Sequence, residues 1–500
     1  IREPTTERAL SAARRAASWS DIVEIRADFI RDLNLPVLLR EKPCPVIFTL
    51  RPRGEGGEYV GSEFSRIETL VEAASLGADW VDVEYSAFWR GVLGTVERRK
   101  VILSHHDFHE TPRSLDSLID EMRETGARII KIATTARGLA DNLVVANALK
   151  HAAARGVELC ALAMGPRGIP SRILGPSWGS WTTFASLPGG EPTADGQIPA
   201  DQLVELYRIR RIRPETRLFG VLGKPLAHSL SPHLHNAVFA NQERDAVYIP
   251  LEAADIEDFV RFSEVVPIEG ASVTIPFKEP VHELAASISV EANQTGAVNT
   301  LLHRGGAWHG ENTDVEGFLR PLRKRTRVGR LRTIVLGAGG AARAVVCGLA
   351  SRGGAVCVVA RDPAKARRLA EKFGVEHAAW SEIRNMSWDL LVNTTPVGMY
   401  PNTDESPVPA DWLVGRWVYD LVYNPKETKL LKDASRKGCR VVYGTEMFLA
   451  QAVKQQQLWF GARPPEGIMQ EALEKALEGA GAGRVQQEAV AAGSAGGSQR

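Results

Sequence analysis

The chain has 500 residues, of which 44% are hydrophobic, so it is long enough for two to four domains and too long for one core. Its 61 basic residues nearly balance its 60 acidic ones, which argues against nucleic acid or an anionic membrane as a partner. Five scattered cysteines without metal-ligand spacing predict a reducing compartment, no disulfide framework and no bound metal.

Membrane and export signals are not expected in this chain. No apolar run approaches the ~18 residues that a membrane span needs, and we expect no signal peptide. The sequence begins with Ile1 and not with Met, so we expect that its native start is missing. The expected location is the cytoplasm, or the plastid stroma if the source is a plant.

The first block runs from residue 1 to about 213 and alternates short apolar runs with amphipathic stretches, the pattern of parallel βα units. Helical patterns cover 63–76 and 114–125, and the charged segment 208–213 is predicted to be a helix end stopped by Pro214. Most predicted strands run into polar residues, which is where a (β/α)8 barrel gathers its site. Strands are predicted at 21–25, 46–50, 80–84, 101–103 and 129–132.

Lys131 stands within one of these apolar strands. Burial makes a lysine amine useful for imine formation, although a lysine that snorkels out of a strand is the simpler interpretation of this residue alone. Four motifs favour the imine-forming interpretation of Lys131, because together they resemble the type I 3-dehydroquinate dehydratases, which are (β/α)8 barrels. The motifs are EIRAD at 24–28, SHHDFHETP at 104–112, KIA at 131–133 and GIPSR at 168–172.

The resemblance covers nearly the whole block and implies a Schiff-base dehydration. Lys131 would form the imine, and His106 would take up and return the proton, while His105 and His109 are expected to be bystanders. Arg172, assisted by Arg51, is implied as the cation that binds the substrate carboxylate. The other implied substrate-binding residues are Glu24, Arg26, Glu55, Thr193 and Gln197.

Two features depart from the family pattern. The family usually has Ser-Ala-Pro-Gly-Gln in the loop over the substrate, whereas residues 193–197 read Thr-Ala-Asp-Gly-Gln. Asp195 therefore adds a negative charge near an anionic substrate and is expected to lower its affinity. In the family, the first barrel strand normally lies just before a segment like 5–18. Only Ile1 of this chain can belong to that strand, so we expect an exposed strand edge.

A second block begins at about residue 216 and contains Ser229 and Ser231 just before a helix. Free N–H groups at a helix start suit a carboxylate, although a plain N-cap at Ser231 is an equally good interpretation of the pair alone. Four segments together make residues 220–472 similar to the shikimate dehydrogenases. They are GKPLAHSLSP at 223–232, SVTIPFK at 272–278, GAVNT at 296–300 and GENTD at 310–314.

This second resemblance implies a catalytic pair of Lys278 and Asp314, in which the carboxylate keeps the lysine protonated and the lysine donates to the substrate carbonyl oxygen. The implied substrate-binding residues are Ser229, Ser231, Thr274, Asn299, Tyr423 and Gln451.

The third block predicts a dinucleotide site. A strand at 333–336 leads into GAGGAA at 337–342, an order that seats a pyrophosphate at a helix N-terminus. Arg361 and Lys365 follow the next strand and suit the 2′-phosphate of NADP, whereas Asp362 beside them would favour NAD. We predict NADP. The expected cofactor-binding residues are Gly337, Ala338, Gly339, Gly340, Ala341, Arg361, Lys365, Leu421 and Gly444.

The two resemblances together predict an α/β fusion that dehydrates 3-dehydroquinate to 3-dehydroshikimate and reduces it with NADPH to shikimate. Alternatives are a quinate/shikimate dehydrogenase with a weakened dehydratase half, and a non-catalytic regulator that senses these metabolites. The second is disfavoured because all four catalytic residues are present and no basic DNA-binding element is visible. The predicted parts are a barrel at 1–215, a substrate domain at 216–325 completed by 445–477, a Rossmann domain at 326–444 and a disordered tail at 478–500.

Overall fold

A computed structural model describes residues 1–85 and 89–479. They belong to two compact units. Of the described residues, those in 1–228 and 245–267 form unit 1, and those in 229–244 and 268–479 form unit 2. No helix within the described ranges is long and apolar enough to cross a membrane. Residues 466–479 are helical, so 478 and 479 of the predicted tail belong to a helix, and its remainder lies outside the described residues.

The first part of unit 1 alternates helices and strands, as the apolar periodicity predicts. Its valine- and isoleucine-rich strands are buried almost throughout, because helices cover a parallel sheet. The elements are α1 (Thr6–Ala16), β1 (Val23–Arg26), α2 (Leu35–Arg40), β2 (Val46–Thr49), α3 (Glu63–Ser75), β3 (Trp80–Glu84), α4 (Trp89–Leu93), β4 (Val101–His106), α5 (Asp116–Glu124), β5 (Ile129–Thr135), α6 (Asp141–Ala154), β6 (Glu158–Met164) and α7 (Ile169–Leu174).

The six strands are parallel and pair in chain order from β1 to β6. This is the order of a (β/α)8 barrel, in which the side chains that end the strands gather at one face. Ile1 lies in ladder register beside β1. Its nitrogen donates to the Glu24 carbonyl oxygen at 2.5 Å, and its carbonyl oxygen accepts from the Arg26 N–H at 3.0 Å. The edge of β1 that was expected to be exposed is therefore paired at this point.

One predicted helix end is wrong in its detail. The segment before residue 214 forms a π-helical turn at Gln202–Leu206 and a 3-10 turn at Ile209–Arg211. Between them Arg208 has a φ of 51°, a left-handed conformation that ends the helix. The helix therefore stops well before Pro214.

The second block supplies elements to both units. They are β7 (Arg217–Gly223), α8 (Ser231–Asn241), β8 (Ala246–Glu252), α9 (Ile256–Val265), β9 (Ile268–Val273), α10 (Pro280–Leu284), β10 (Ser287–Ile288), α11 (Val290–Thr295), β11 (Thr300–Arg304), β12 (Ala307–Glu311) and α12 (Asp314–Arg323). In unit 1, β7 and β8 form a parallel pair, and α9 follows them. In unit 2, β11 pairs antiparallel with β9 and β12, and β10 adds a short parallel edge.

The third block is a doubly wound parallel sheet in unit 2. Its order is β15-β14-β13-β16-β17-β18, which is the 3-2-1-4-5-6 order of a Rossmann fold. The chain adds strands on one side of β13 first and then, from β16 onward, on the other side. Ligands bind at such a switch point in the strand order. The elements are β13 (Arg332–Leu336), α13 (Gly340–Ala350), β14 (Ala355–Val359), α14 (Pro363–Phe373), β15 (Glu376–Ala378), β16 (Leu390–Asn393), β17 (Trp417–Asp420), α15 (Lys429–Arg436), β18 (Arg440–Val442) and α16 (Gly444–Phe460).

Helix α16 carries the chain from the Rossmann sheet back to strands that precede that sheet in the sequence. Buried Gln455 accepts from the Ser272 hydroxyl at 2.9 Å and donates to the Thr300 hydroxyl at 3.0 Å. The adjacent Gln456 donates to Nδ1 of buried His235 on α8 at 3.0 Å. These buried bonds fix α16 against β9, β11 and α8.

Candidate active sites

A cavity in unit 1 is lined by all nine residues predicted for the dehydratase site. In β4 and β5, Ser104 pairs with Lys131 in register, and His106 follows two residues on, so all three side chains face the same side of the sheet. Neither His105 nor His109 lines this cavity within the described chain. The predicted residues that line it are Glu24, Arg26, Arg51, Glu55, His106, Lys131, Arg172, Thr193 and Gln197.

The Lys131 amine lies between two buried carboxylates. Its Nζ is 3.0 Å from Asp82 Oδ2, 3.3 Å from Glu24 Oε1 and 4.2 Å from the centroid of the Phe184 ring. Burial lowers the pKa of Lys131, but Asp82 and Glu24 outweigh burial, and the pKa is raised. Burial raises the pKa of Glu24, but Lys131 together with Arg26 and Arg51 outweighs it and holds the pKa at about 2. A cation at this position is therefore strongly stabilised.

Arg51 belongs to a charged network that the sequence motifs do not reveal. Its guanidinium contacts Asp82 Oδ1 at 3.0 Å and Glu84 Oε1 at 2.5 Å. The fully buried Arg66 contacts the other oxygen of Glu84 at 2.8 Å. Burial favours the neutral form of Asp82, but Arg51 and then Lys131 outweigh it, and the pKa of Asp82 is lowered. The carboxylate of Asp82 therefore connects the predicted imine lysine to the arginine network.

His106 is set up as a neutral base. Burial, followed by the charge of Arg51, lowers its pKa to about 4, although Glu55 acts in the opposite direction. Its Nδ1 is 3.7 Å from Glu55 Oε2, which is ion-pair range and longer than a hydrogen bond. The ring is stacked on Phe108 with 5.9 Å between centroids. An imidazole with this pKa is uncharged at neutral pH, so its ring nitrogen is available as a proton acceptor.

Arg172 is a buried cation aimed at the cavity. Only 1% of the residue is exposed, and its Nη2 donates to the Asp195 carbonyl oxygen at 3.0 Å, while its buried Nε has no hydrogen-bond partner. Burial lowers the pKa of Arg172 to about 10. An unpartnered buried guanidinium N–H is costly unless an anion binds, so this position suits a carboxylate.

The loop at 193–197 closes the cavity beside Arg172. The Gln197 side chain accepts from the Thr193 N–H at 2.8 Å and donates to the Thr193 hydroxyl at 3.1 Å. Gly196 has a φ of 72°, and a Cβ there would lie 2.4 Å from the Gly165 carbonyl oxygen. Arg26, at the cavity wall, is held by Asp28 in two bonds of 2.9 and 2.7 Å. Thr193 and Gln197 are thus mutually bonded, and Arg26 is already paired.

The predicted dehydrogenase pair lies in unit 2. Lys278 Nζ is 2.5 Å from Asp314 Oδ2, and the other oxygen of Asp314 accepts from the buried Asn299 amide at 2.7 Å. A Cβ built on Gly340 would lie 3.8 Å from Cδ of Lys278, so the lysine stem passes beside the glycine-rich turn. Asn299 also accepts from the Thr313 N–H at 2.7 Å, which fixes the start of α12 that carries Asp314.

Ser231 is the first residue of α8. Leu230 occupies the N-cap position of this helix, and no side chain makes a capping hydrogen bond there. The plain N-cap interpretation of Ser231 is therefore wrong, and no side chain caps this helix start. Tyr423 packs with its ring centroid 4.4 Å from that of Phe448 and, with Leu230, joins the cluster between α8 and α16. Gln451 donates to the Phe448 carbonyl oxygen at 2.8 Å. Ser229 and Thr274 are half-buried.

The glycine-rich turn has the backbone that a pyrophosphate needs. Gly337 has a φ of 110°, and a Cβ there would meet Thr394 Oγ1 at 2.5 Å. Gly339 caps α13 without a side-chain hydrogen bond, and a Cβ on Gly339 would project into open space. The half-buried Ala338 and Ala341 flank the glycines, so small residues leave the helix N–H groups accessible to an anion. These residues fit a dinucleotide.

Two further regions frame that turn. Arg361 and Lys365 are exposed after β14, whereas Asp362 caps α14. Its Oδ1 accepts from the N–H groups of Ala364 at 3.0 Å and Lys365 at 3.2 Å, so one of its two oxygens is engaged. On the other side of the switch point, a Cβ on Gly444 would lie 2.7 Å from the Leu421 carbonyl carbon. That close approach requires glycine at the start of α16.

The described residues contain no group of three or more His, Cys, Asp or Glu side chains that could hold a metal ion. All five cysteines lie in the described ranges and are free thiols.

Three family models match the chain. Residues 1–214 match type I 3-dehydroquinase, residues 221–301 match the shikimate dehydrogenase substrate binding domain, and residues 444–474 match the shikimate 5′-dehydrogenase C-terminal domain. The α/β fold class and both resemblances are confirmed by these matches.

Individual relatives extend the comparison. A bifunctional 3-dehydroquinate dehydratase/shikimate dehydrogenase, chloroplastic, of Arabidopsis thaliana is 35% identical over 91% of this chain and 80% of its own length. A shikimate dehydrogenase (NADP(+)) of Methanothermobacter thermautotrophicus is 40% identical over 53% of this chain and 99% of its own. The crystal structure of a chorismate mutase/shikimate 5-dehydrogenase fusion protein from Clostridium acetobutylicum matches with a TM-score of 0.50 and 33% identity, over 53% of this chain and 98% of that one.

Proposed function

This chain belongs to the family of bifunctional 3-dehydroquinate dehydratases/shikimate dehydrogenases, and from that membership we propose that it carries out both reactions in succession. The first site dehydrates 3-dehydroquinate, and the second reduces the resulting 3-dehydroshikimate to shikimate with NADPH. The observation that carries the proposal is the burial of Lys131 between Asp82 and Glu24, beside a neutral His106.

In the dehydration, the Lys131 ammonium gives up a proton, and the resulting amine adds to the substrate carbonyl carbon. A proton is then returned to the hydroxyl group of this adduct, which leaves as water and gives a protonated imine. Asp82 and Glu24, which hold the ammonium form of Lys131, also stabilise this cation. His106 takes the proton from the carbon next to the imine, and the resulting enamine expels the hydroxyl group, to which His106 returns that proton as water leaves. Water then hydrolyses the imine, which releases the product and the amine.

Arg172 binds the substrate carboxylate during these steps. Its unpartnered buried Nε and its position beside the 193–197 loop support this role. The carbonyl oxygen of Asp195 accepts a hydrogen bond from Arg172, and the charge of the Asp195 carboxylate also acts on this guanidinium, so weaker substrate binding remains the expectation. We propose that Arg51 assists Arg172 at the carboxylate. Glu24, Arg26 and Glu55 are proposed to hold the ring hydroxyls, and Thr193 and Gln197 to supply hydrogen bonds from the loop.

In the reduction, Lys278 donates a proton to the carbonyl oxygen of the substrate, while Asp314 keeps the lysine oriented. NADPH supplies the hydride when it is bound, and the name of the Methanothermobacter relative supports NADP as the cofactor. Residues 337–341 and the uncapped start of α13 would hold its pyrophosphate, Arg361 and Lys365 its 2′-phosphate, and Leu421 and Gly444 would flank it. Ser229, Ser231, Thr274, Asn299, Tyr423 and Gln451 are proposed to bind the substrate.

We also propose the domain boundaries at 215, 325 and 444. The family match that ends at residue 214 supports the first, and the match that begins at residue 444 supports the third. Five free thiols support a reducing compartment, either the cytoplasm or a plastid stroma. The regulator alternative has no support, because both catalytic lysines are paired with carboxylates in the manner that each reaction requires.

The purified chain, given 3-dehydroquinate and NADPH, is expected to produce shikimate. Borohydride with 3-dehydroquinate should trap an adduct that peptide mass spectrometry places on Lys131. Lys131→Ala should lose dehydration and trapping but retain shikimate oxidation. An adduct on another lysine would refute the assignment, and faster oxidation of quinate than of shikimate would favour the quinate alternative.

A further inference from the structure

A helix of the dehydrogenase sequence is built into unit 1. Residues 245–267 belong to unit 1, although they lie within the 221–301 match to the shikimate dehydrogenase substrate binding domain. Asp258, on α9, is 1% exposed. Its Oδ2 accepts from the Leu139 N–H at 2.7 Å and its Oδ1 from the Ala140 N–H at 2.9 Å. These two amides follow β5, the strand that carries Lys131.

The contact with this loop is close and well satisfied. A Cβ at Gly138 would lie 2.8 Å from Asp258 Oδ1, so a larger residue at 138 would keep the loop away from the carboxylate. Asp258 also accepts from the Ala254 N–H at 2.8 Å and from Arg261 Nη2 at 3.4 Å. A buried carboxylate with both oxygens engaged holds its partners in one geometry.

A second buried side chain continues from this loop to the dehydratase cavity. The Asn142 amide is fully buried and donates from Nδ2 to the carbonyl oxygens of Leu139 at 2.7 Å and Arg167 at 2.8 Å. Its Oδ1 accepts from the Ser171 N–H at 2.9 Å. Ser171 precedes Arg172, and the Ser171 hydroxyl is itself bonded to the backbone of Ala163 and Gly168. The backbone of Arg172 is therefore connected to Asp258 through one continuous set of buried hydrogen bonds.

We propose that Asp258 is a positioning residue for the dehydratase site: it fixes the loop at 139–140, and through Asn142 it fixes Ser171 and the guanidinium of Arg172. This inference rests on the proposed role of Arg172 in binding the substrate carboxylate. A residue of the dehydrogenase sequence thereby sets the substrate affinity of the preceding reaction. The dehydratase site is complete only when α9 is in place.

The chemistry of the carboxylate makes a specific substitution informative. Asp258→Asn keeps the size of the side chain but replaces one acceptor oxygen by an NH2 group, which cannot accept from either loop amide. One of the two N–H groups then loses its partner, and the loop must shift to find another. A shift relayed to Arg172 changes carboxylate binding and leaves Lys131 and His106 unchanged. Since Arg172 binds ground state and transition state alike, KM rises while kcat is retained.

The test compares full-length variants in both reactions. For Asp258→Asn we expect KM for 3-dehydroquinate to rise about ten-fold, less than the roughly 10²-fold that a 1 Å misplacement can cost. Its kcat and its borohydride trapping at saturating substrate should change less than about two-fold, as should shikimate oxidation, whose proposed residues lie in unit 2. The matched control is Asp255→Asn, which removes an exposed charge from the cap of the same helix and should leave KM unchanged.

Two further variants separate the possible outcomes. Arg172→Lys tests directly whether Arg172 binds the substrate carboxylate, and it should raise KM. An unchanged KM in this variant would refute that role of Arg172 and not the hydrogen-bonded connection from Asp258 to Arg172. If Arg172→Lys raises KM and Asp258→Asn does not, the positioning role is wrong. Asn142→Asp should reproduce the KM effect if Asp258→Asn does not fold. Mere destabilisation would lower kcat per mole of protein in both reactions without moving KM, and that result would also overturn the inference.

Discussion

Replacing Arg361 by alanine should convert an NADP-selective dehydrogenase into one that discriminates weakly. Arg361 and Lys365 are exposed after β14, where each can donate a charge-assisted hydrogen bond to a 2′-phosphate. Such bonds contribute about 1.5–3 kcal/mol, and solvent and salt screening bring an exposed pair toward the lower value. The loss of about 1.4 kcal/mol corresponds to a ten-fold change.

The capping role of Asp362 determines whether this carboxylate is expected to favour NAD binding. Its Oδ1 is held by the N–H groups of Ala364 and Lys365, so one of its two oxygens is engaged in capping α14. We expect that NAD gains little from the other oxygen, and that Arg361→Ala leaves NAD kinetics unchanged. We expect the parent chain to prefer NADP by about ten-fold or more in kcat/KM, and the variant to lose about ten-fold with NADP alone.

The measurement is kcat/KM for shikimate oxidation with each cofactor, accompanied by Kd values for NADP and NAD from fluorescence titration. Raising the salt concentration should narrow the preference, because the contacts are exposed. Arg367→Ala is the matched control, since Arg367 lies on the same helix, is exposed and pairs with Glu371 at 3.4 Å. Equal use of both cofactors by the parent chain, or an equal loss with both in the variant, would refute the reasoning.

Three further outcomes are expected from the two sites. His106→Ala should still form the borohydride-trappable imine but lose about 10²–10⁴-fold in dehydration, and a larger loss in His105→Ala would reverse that assignment. Because the pKa of His106 is lowered to about 4, its base form persists as pH falls from 8 to 5. Dehydration kcat/KM should therefore decline only as pH falls through about 4, and a limb near 6.5 would contradict a buried neutral imidazole. Asp314→Asn removes the charge 2.5 Å from Lys278, so shikimate oxidation should fall about 10²-fold in kcat while dehydration is unchanged, and similar losses in both assays would indicate misfolding instead.

The sequence predicts the parts of the dehydratase site that stand in strand-end motifs. Lys131 is noticeable because a lysine within an apolar strand is unusual, whereas His106 and Arg172 are assigned by the resemblance of the motifs at 104–112 and 168–172 to the dehydratase family. Asp82 carries no motif, although the strand at 80–84 is predicted correctly, with the bounds Trp80–Glu84. The available signal is an acidic residue between Val81 and Val83 in an apolar strand. Such a strand is buried, and a buried carboxylate requires a cation nearby.

Other features have no local signal at all. Phe184, which lies over the Lys131 amine, comes from an irregular segment whose path depends on tertiary contacts. The left-handed conformation of Arg208 is rare for a residue other than glycine, so sequence favours proline as the helix terminator. Asp258 contacts residues 119 and 118 positions away, and on sequence alone it resembles any polar residue of a surface helix.

The route of α16 has a consequence for synthesis on the ribosome. Strands β9 and β11 are made before the Rossmann sheet, yet the hydroxyl groups of Ser272 and Thr300 on these strands bond to Gln455, which is made after it. Gln455 lies 183 residues after Ser272 and 155 after Thr300. At about 5–20 residues per second, these intervals take on the order of 10–40 s to emerge. During that interval β9 and β11 lack the helix that covers them, whereas strands β1 to β6 are already available to pair. Chaperone dependence of the nascent chain should therefore concentrate in its second half.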